Sequence, residues 1–288
     1  MEAGELLKKV RKIEIKTRGL TRQIFSGEYQ SAFKGRGMAF SEVREYVPGD
    51  DIRSIDWNVT ARFNSPYVKV FEEERELTIM LLVDVSASNH FGTHEQLKKE
   101  WISEICAVLA FSALSNNDKT GVIFFSDKME KFIPPKKGRS HVLRIIREIL
   151  TFHRESSGTD LNVPLTFLSR AIKKRCTAFL ISDFIAPFNF TDSLKIARNK
   201  HDLVCLKITD PAEELLPDLG IIPLYDEESG KTYWVDTHAK SFRKAFIRSV
   251  HEDVKTLQDI CSRLGVDLAM INTRDGYIRP LIQLFEKR

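Results

Sequence analysis

The sequence predicts an α/β protein with a mostly parallel sheet covered by helices on both faces, and three observations carry that expectation. A continuous apolar run at 79–83 begins an alternation of strand-like and helix-like patterns that lasts to the C-terminus. Two of the apolar runs, I-M-L-L-V-D and A-F-L-I-S-D, lead to an acid, Asp84 and Asp183. Residues 27–76 read differently: Gly27, Gly35, Gly37, Gly49, Pro48 and Pro66 punctuate short aromatic-containing segments. The expected organisation is therefore an N-terminal helix and strand-and-turn subdomain over 1–76 and an α/β domain over 77–288.

Composition limits the function classes. The chain has 288 residues, 42% hydrophobic and 29% charged, as in an ordinary globular protein. Its 44 basic and 40 acidic residues leave a net charge of +4, too small a surplus to mark a nucleic-acid binder. No apolar run approaches the roughly 20 residues needed to cross a bilayer. The charged opening M-E-A-G-E-L-L-K-K-V lacks the apolar centre of a secretory signal, so a cytoplasmic protein is expected. Cys106, Cys176, Cys205 and Cys261 are scattered, with no C-x-x-C pair, and are expected as buried free thiols.

Along the chain, Leu6, Val10, Ile13, Leu20 and Ile24 place an amphipathic helix over 5–25. It is expected to pack on its own domain rather than lie on a membrane. The stretch 35–62 interleaves Arg36, Arg44, Arg53 and Arg62 with Glu42, Glu45, Asp50, Asp51 and Asp56. Pro48-Gly49 suits a type II turn. With four arginines so near, the three aspartates are read as part of an ion-pair and hydrogen-bond network rather than a second metal site.

Beyond the first core strand, helical spacing of Leu97, Trp101, Ile105 and Val108 predicts a helix over 94–114. Strands follow at 120–125 and, antiparallel beside it, 128–134. Val142, Ile145, Ile146 and Ile149 mark a helix opened by Arg139 and Ser140, and Leu161, Leu165, Leu168 and Ile172 mark the next. The third core strand is 177–181, followed by a helix at 192–199 and a strand at 203–208. The segments 221–225 and 232–236 read as an inserted hairpin, before a helix at 239–264, a strand at 266–271 and a last helix at 277–287.

Three loops should meet at one edge of such a sheet. One carries Asp84, Ser86 and Ser88, the second carries Thr159 within S-G-T-D, and the third carries Asp183. Two carboxylates and three hydroxyls suit a hard cation such as Mg2+, with Mn2+ or Ca2+ as variants. The plainer reading of the same residues is that they cap the three following helices.

D-V-S-A-S, S-G-T-D and I-S-D-F resemble the metal-ion-dependent adhesion site of von Willebrand factor type A domains, which have a Rossmann-like fold. The 35–62 stretch, followed by V-K-V-F-E-E-E-R-E-L, resembles the bacterial family called domain of unknown function 58. In that family a module of this kind precedes a type A-like domain. The resemblance implies metal ligands at Asp84, Ser86, Ser88, Thr159 and Asp183, with Asp160 as a competing acid. Asn89 departs from the apolar residue many type A domains carry there. It also implies a partner, an AAA+ ATPase of the MoxR type; the sequence has no ATP-binding motif, so any ATPase activity is expected to come from that partner. The expected function is a non-enzymatic adaptor whose metal receives a carboxylate from an acidic protein client. The alternative is a metal-dependent phosphoester hydrolase; against it, only His90 and His94 come near as bases. Nucleic-acid binding through the basic stretch 131–141 is the weakest reading.

Overall fold

The computed structural model describes residues 10, 11, 13, 14, 39–63, 65–72, 77–86, 97–153, 156, 158–215, 218–226 and 231–288. The chain divides into two compact units, one running Phe33–Glu76 and the other taking Met1–Ala32 and Leu77–Arg288.

In the smaller unit, β1 (Ala39–Glu45) precedes a single 3-10 turn (Ile52–Ser54), helix α1 (Trp57–Phe63) and β2 (Tyr67–Glu72), and β1 and β2 pair antiparallel. The expected turn forms at 47–50: Gly49 has φ +114° and the Asp50 N–H donates to the Val47 carbonyl at 3.0 Å. All three aspartates have structural work. Asp50 takes a bidentate pair of hydrogen bonds from Arg44 at 2.7 and 2.8 Å. The Arg44 and Val47 hydrogen bonds hold the Asp50 carboxyl below the usual range. Asp51 caps the 3-10 turn through the Arg53 N–H. Asp56 accepts the Asn58 N–H and lies 3.3 Å from the Lys69 ammonium. That cap starts α1, a helix where turns and strands were expected.

The larger unit runs β3 (Thr78–Asp84), α2 (Lys98–Ser115), β4 (Lys119–Phe125), β5 (Met129–Lys136), α3 (Arg139–Thr151), α4 (Asn162–Ala171), β6 (Thr177–Ser182), α5 (Thr191–Lys200), β7 (Asp202–Thr209), α6 (Pro211–Glu214), β8 (Ile221–Asp226), β9 (Lys231–Asp236), α7 (Lys240–Leu264), β10 (Asp267–Asn272) and α8 (Ile278–Glu286). Six strands form one sheet in the order β10-β7-β6-β3-β4-β5, parallel throughout except for β5. Side chains alternate across it. Met80 and Leu82 join the core made with Leu165 and Leu168 of α4, Leu194 of α5 and Leu257 and Cys261 of α7. On the opposite face, Phe179 meets Phe285 of α8 and Phe124 stacks on Phe152 at the end of α3. Burial on both faces explains why the central strands read as unbroken apolar runs.

The helices keep their expected inward stripes, with two differences. α2 begins at Lys98, leaving Leu97 as an extended, 42% exposed residue ahead of it; His94 lies outside the described residues. On α7, Phe246, Val250 and Val254 are only half-buried, while Leu257 and Cys261 are buried. All four cysteines are buried and free. β8 and β9 form a hairpin sheet of their own. Val10, Ile13 and Glu14 of the first predicted helix are buried, and Arg139 donates to Glu14; the rest of that helix is mostly outside the described residues. Among the described residues no helix is long and apolar enough to cross a membrane.

Candidate functional site

From β3 the sheet grows outward through β4 and β5, then the chain returns to lay β6 on the other side of β3. The direction of growth therefore reverses between β3 and β6. In open α/β sheets a crevice opens beyond the carboxyl ends of the strands at such a reversal, and ligands bind there. Asp84 ends β3, and Asp183 is the first residue after β6. The two predicted carboxylates thus flank the reversal, on adjacent parallel strands.

Both acids are buried, Asp84 to 1% exposure and Asp183 to 0%. The Asp84 carboxylate accepts the Ser86 N–H at 2.8 Å on one oxygen and the Ser182 hydroxyl at 2.6 Å on the other. Asp183 accepts the Ile185 N–H at 3.1 Å and the Lys98 ammonium at 2.9 Å. Its backbone carbonyl accepts from the Lys207 ammonium. Between Asp183 and Ile185, Phe184 holds φ +56°, a left-handed conformation unfavourable for a bulky residue. Its burial, with 3% exposure, and its N–H donating to the Ser182 hydroxyl at 3.0 Å keep it there.

Lys98 has a second partner. Its ammonium reaches Glu213 at 2.5 Å, and its side chain is wholly buried. Glu213 is fixed by a capping box with Asp210 at the start of α6. The electrostatics follow from burial. Desolvation, then the Asp183 charge, push the Asp84 carboxyl up to about 7, against the hydrogen bonds from Ser182 and Ser86. For Lys98, burial works against the charge, yet Asp183 and Glu213 outweigh it and the ammonium is held above its ordinary value. Burial raises Glu213 against the pull of Lys98, and burial lowers Lys207 against Asp183 and Glu213.

Of the hydroxyl residues, Ser86 is buried and hydrogen-bonds Asp84 through its backbone. Thr159 is half-buried, and the next residue pins its loop beside the end of β4: the Asp160 N–H donates to the Ser126 carbonyl at 3.0 Å. Asp160 itself accepts the Asn162 backbone N–H at 2.9 Å, so its carboxylate serves the start of α4. Ser88, Asn89 and His90 lie outside the described residues. The three predicted loops therefore come to the carboxyl ends of the neighbouring strands β6, β3 and β4. Among the described residues no three His, Cys, Asp or Glu side chains gather at metal-binding spacing. A cation held here would depend on hydroxyl oxygens as well as the two acids.

Sequence reasoning passed over Ser182, Lys98, Lys207 and Glu213. Two of them left signals. A lysine in the first turn of a helix opposes the helix dipole unless carboxylates answer it. D-P-A-E spells a capping box that orients Glu213.

Residues 42–256 match the family described as "Protein of unknown function DUF58". The chain belongs to the DUF58 family. An uncharacterized Mycobacterium tuberculosis member, Rv1480, is 32% identical over 283 residues, covering 97% of this chain and 88% of its own. An uncharacterized Bacillus subtilis protein, YeaD, is 26% identical over 117 residues, 41% of this chain and 27% of its own. Among solved structures, this DUF58 chain is similar to an aerotolerance-related membrane protein from Bacteroides fragilis, with TM-score 0.51 and 14% identity over 74% of this chain and all of the other. It is also similar, at TM-score 0.39 and 12% identity, to the SpRpn10 VWA domain, over 74% of this chain and 95% of that domain. The first of these likenesses concerns the fold alone, a mostly parallel six-stranded sheet covered by helices.

Proposed function

We propose that this DUF58 protein is a non-enzymatic, metal-dependent protein-interaction module of the cytoplasm. It would serve as an adaptor or assembly factor for a MoxR-type AAA+ ATPase and capture an acidic side chain of its partner. The observation that supports this reading is the buried acid pair at the sheet's reversal, Asp84 and Asp183, flanked by hydroxyl-bearing loops. The donor set fits a hard cation. Burial and the neighbouring Asp183 charge outweigh the hydrogen bonds to Asp84, so added positive charge is stabilised there. Ser86, Ser88 and Thr159 would hold Mg2+, with Asp84 and Asp183 supplying negative charge. Asp183 is already engaged by Lys98 and the Ile185 N–H, so its part is to balance charge. The chemistry a bound Mg2+ supplies is electrophilic attraction for a carboxylate from outside. Ser182 orients Asp84, and the capping box keeps Glu213 and Lys98 in place behind it.

The test is capture of the MoxR-type ATPase by wild type and Asp84→Ala, each in magnesium and in EDTA, with circular dichroism confirming the fold. Capture is expected only for wild type in magnesium. Unchanged capture in EDTA rules out the metal bridge, and magnesium-dependent turnover in a phosphoesterase screen rules out a purely non-enzymatic role.

A further inference from the structure

The two edges of the six-stranded sheet are built differently. β5 is defended: it carries Pro134, Pro135, Lys131 and Lys136, and its pairing with β4 shifts register twice. β10, with the sequence D-L-A-M-I-N, has no proline and pairs with β7 without a break. Its charge, Asp267, stands at its first residue and is held at 2.9 Å by Arg288. Natural edges of this length are normally blunted, because their unpaired backbone groups template another strand.

Backbone direction identifies the exposed groups. The Thr273 N–H donates to the Thr209 carbonyl at 3.0 Å, toward β7. Strand residues alternate, so Ile271 and Ala269 also turn their backbone groups to β7, while Leu268 and Met270 turn theirs outward. Outside that edge lies a groove of about 590 Å³, with Gln258 and Ser262 of α7 on one wall, Gln283, Leu284 and Lys287 on the other, and Met270 in its floor. Lys287 is exposed and forms no ion pair among the described residues.

From this we propose that the β10 edge is a docking site for an extended segment of a partner protein, added as a seventh strand with an acidic residue beside Lys287. Main-chain hydrogen bonds to Leu268 and Met270 provide the attachment, and Gln258, Ser262, Gln283 and Leu284 favour neutral side chains beside them. A second copy would bring its own α7 and α8 to the same edge.

The experiment uses the full chain and fluorescein-labelled octapeptides of alternating valine and threonine, ending in aspartate or in lysine, read by fluorescence anisotropy. Saturable binding is expected, with the aspartate peptide favoured several-fold, as for an exposed charge pair. Met270→Pro removes an outward N–H while leaving the bonds to β7, so the fold should persist and affinity fall about tenfold. Met270→Thr should bind like wild type, and Lys287→Glu should reverse the preference, which decides the matter even if the proline variant unfolds. Binding of neither peptide, equal binding by a folded Met270→Pro, or an unchanged preference in Lys287→Glu overturns the proposal. So does a dimer of the free chain that Met270→Pro dissolves, because the edge then belongs to a second copy.

Discussion

Replacing Lys98 by methionine removes an ammonium that pairs with both Asp183 and Glu213 while keeping much of the side-chain volume. The bridge is buried, with Lys98 and Asp183 each at 0% side-chain exposure and Glu213 at 18%. Breaking such a buried pair from one side costs about 3–5 kcal/mol, because the carboxylates lose the ammonium that contacts them directly. With ~2.1 cal/mol/K of unfolding entropy per residue, the roughly 240 residues of the larger unit give ~0.5 kcal/mol/K. The melting temperature should therefore fall by about 6–10 °C in EDTA at pH 7.5. Thermal melts by far-ultraviolet circular dichroism would measure it. The double variant Lys98→Met/Asp183→Asn should recover part of the loss, since it removes one stranded charge, with a coupling of roughly 1–2 kcal/mol. A single-variant shift under ~2 °C, or strictly additive effects, would refute the view that Lys98 is the cation on which the buried acids depend.

Three further predictions concern the surrounding structure. Burial, then the Lys200 and Arg175 charges, lower His201 to about 4 in the folded state. As pH falls from about 6.5 toward 4, the unfolded chain takes up a proton that the folded chain refuses, and up to ~3 kcal/mol of stability is lost; above that window His201 contributes nothing. Urea midpoints at pH 7 and 4.5 should differ less in His201→Gln than in wild type, and equal differences would count against this assignment. At Gly121 an added Cβ would lie 2.8 Å from the Met80 sulfur and 2.9 Å from the Pro135 nitrogen. Gly121→Ala should cost about 1–3 kcal/mol in chemical denaturation, through forced separation of β4 and β5. Gly265 ends α7 at φ +63° with open space around its Cβ position, so Gly265→Ala should cost only about 1 kcal/mol, from backbone strain alone.

Much of this molecule is legible along the chain. The run 79–83 reads as a central strand because a strand covered on both faces has no reason to alternate. The stripe Val142, Ile145, Ile146 and Ile149 reads as a helix face because 3.6-residue periodicity survives in any helix that packs on one side. Asp84, Ser86, Thr159 and Asp183 could be nominated because each follows, or lies beside, the end of a core strand. Pro48-Gly49 announced its turn through the φ that glycine alone accepts readily. These are local properties, set within a few residues.

Tertiary structure decided which groups meet. Lys98 finds Asp183 at a separation of 85 residues and Glu213 at 115, and no periodicity in the chain specifies either pairing. A buried ammonium is tolerated only where carboxylates converge on it, a property of the folded assembly and not of any segment. The order of strands was equally silent, since parallel strands joined by helices can be laid on either side of those before them. Strand order made β10 an edge and put the reversal between β3 and β6. The sequence by itself determined the elements and the acids at their ends; packing determined which of those acids come together and which strands lie at the edges of the sheet.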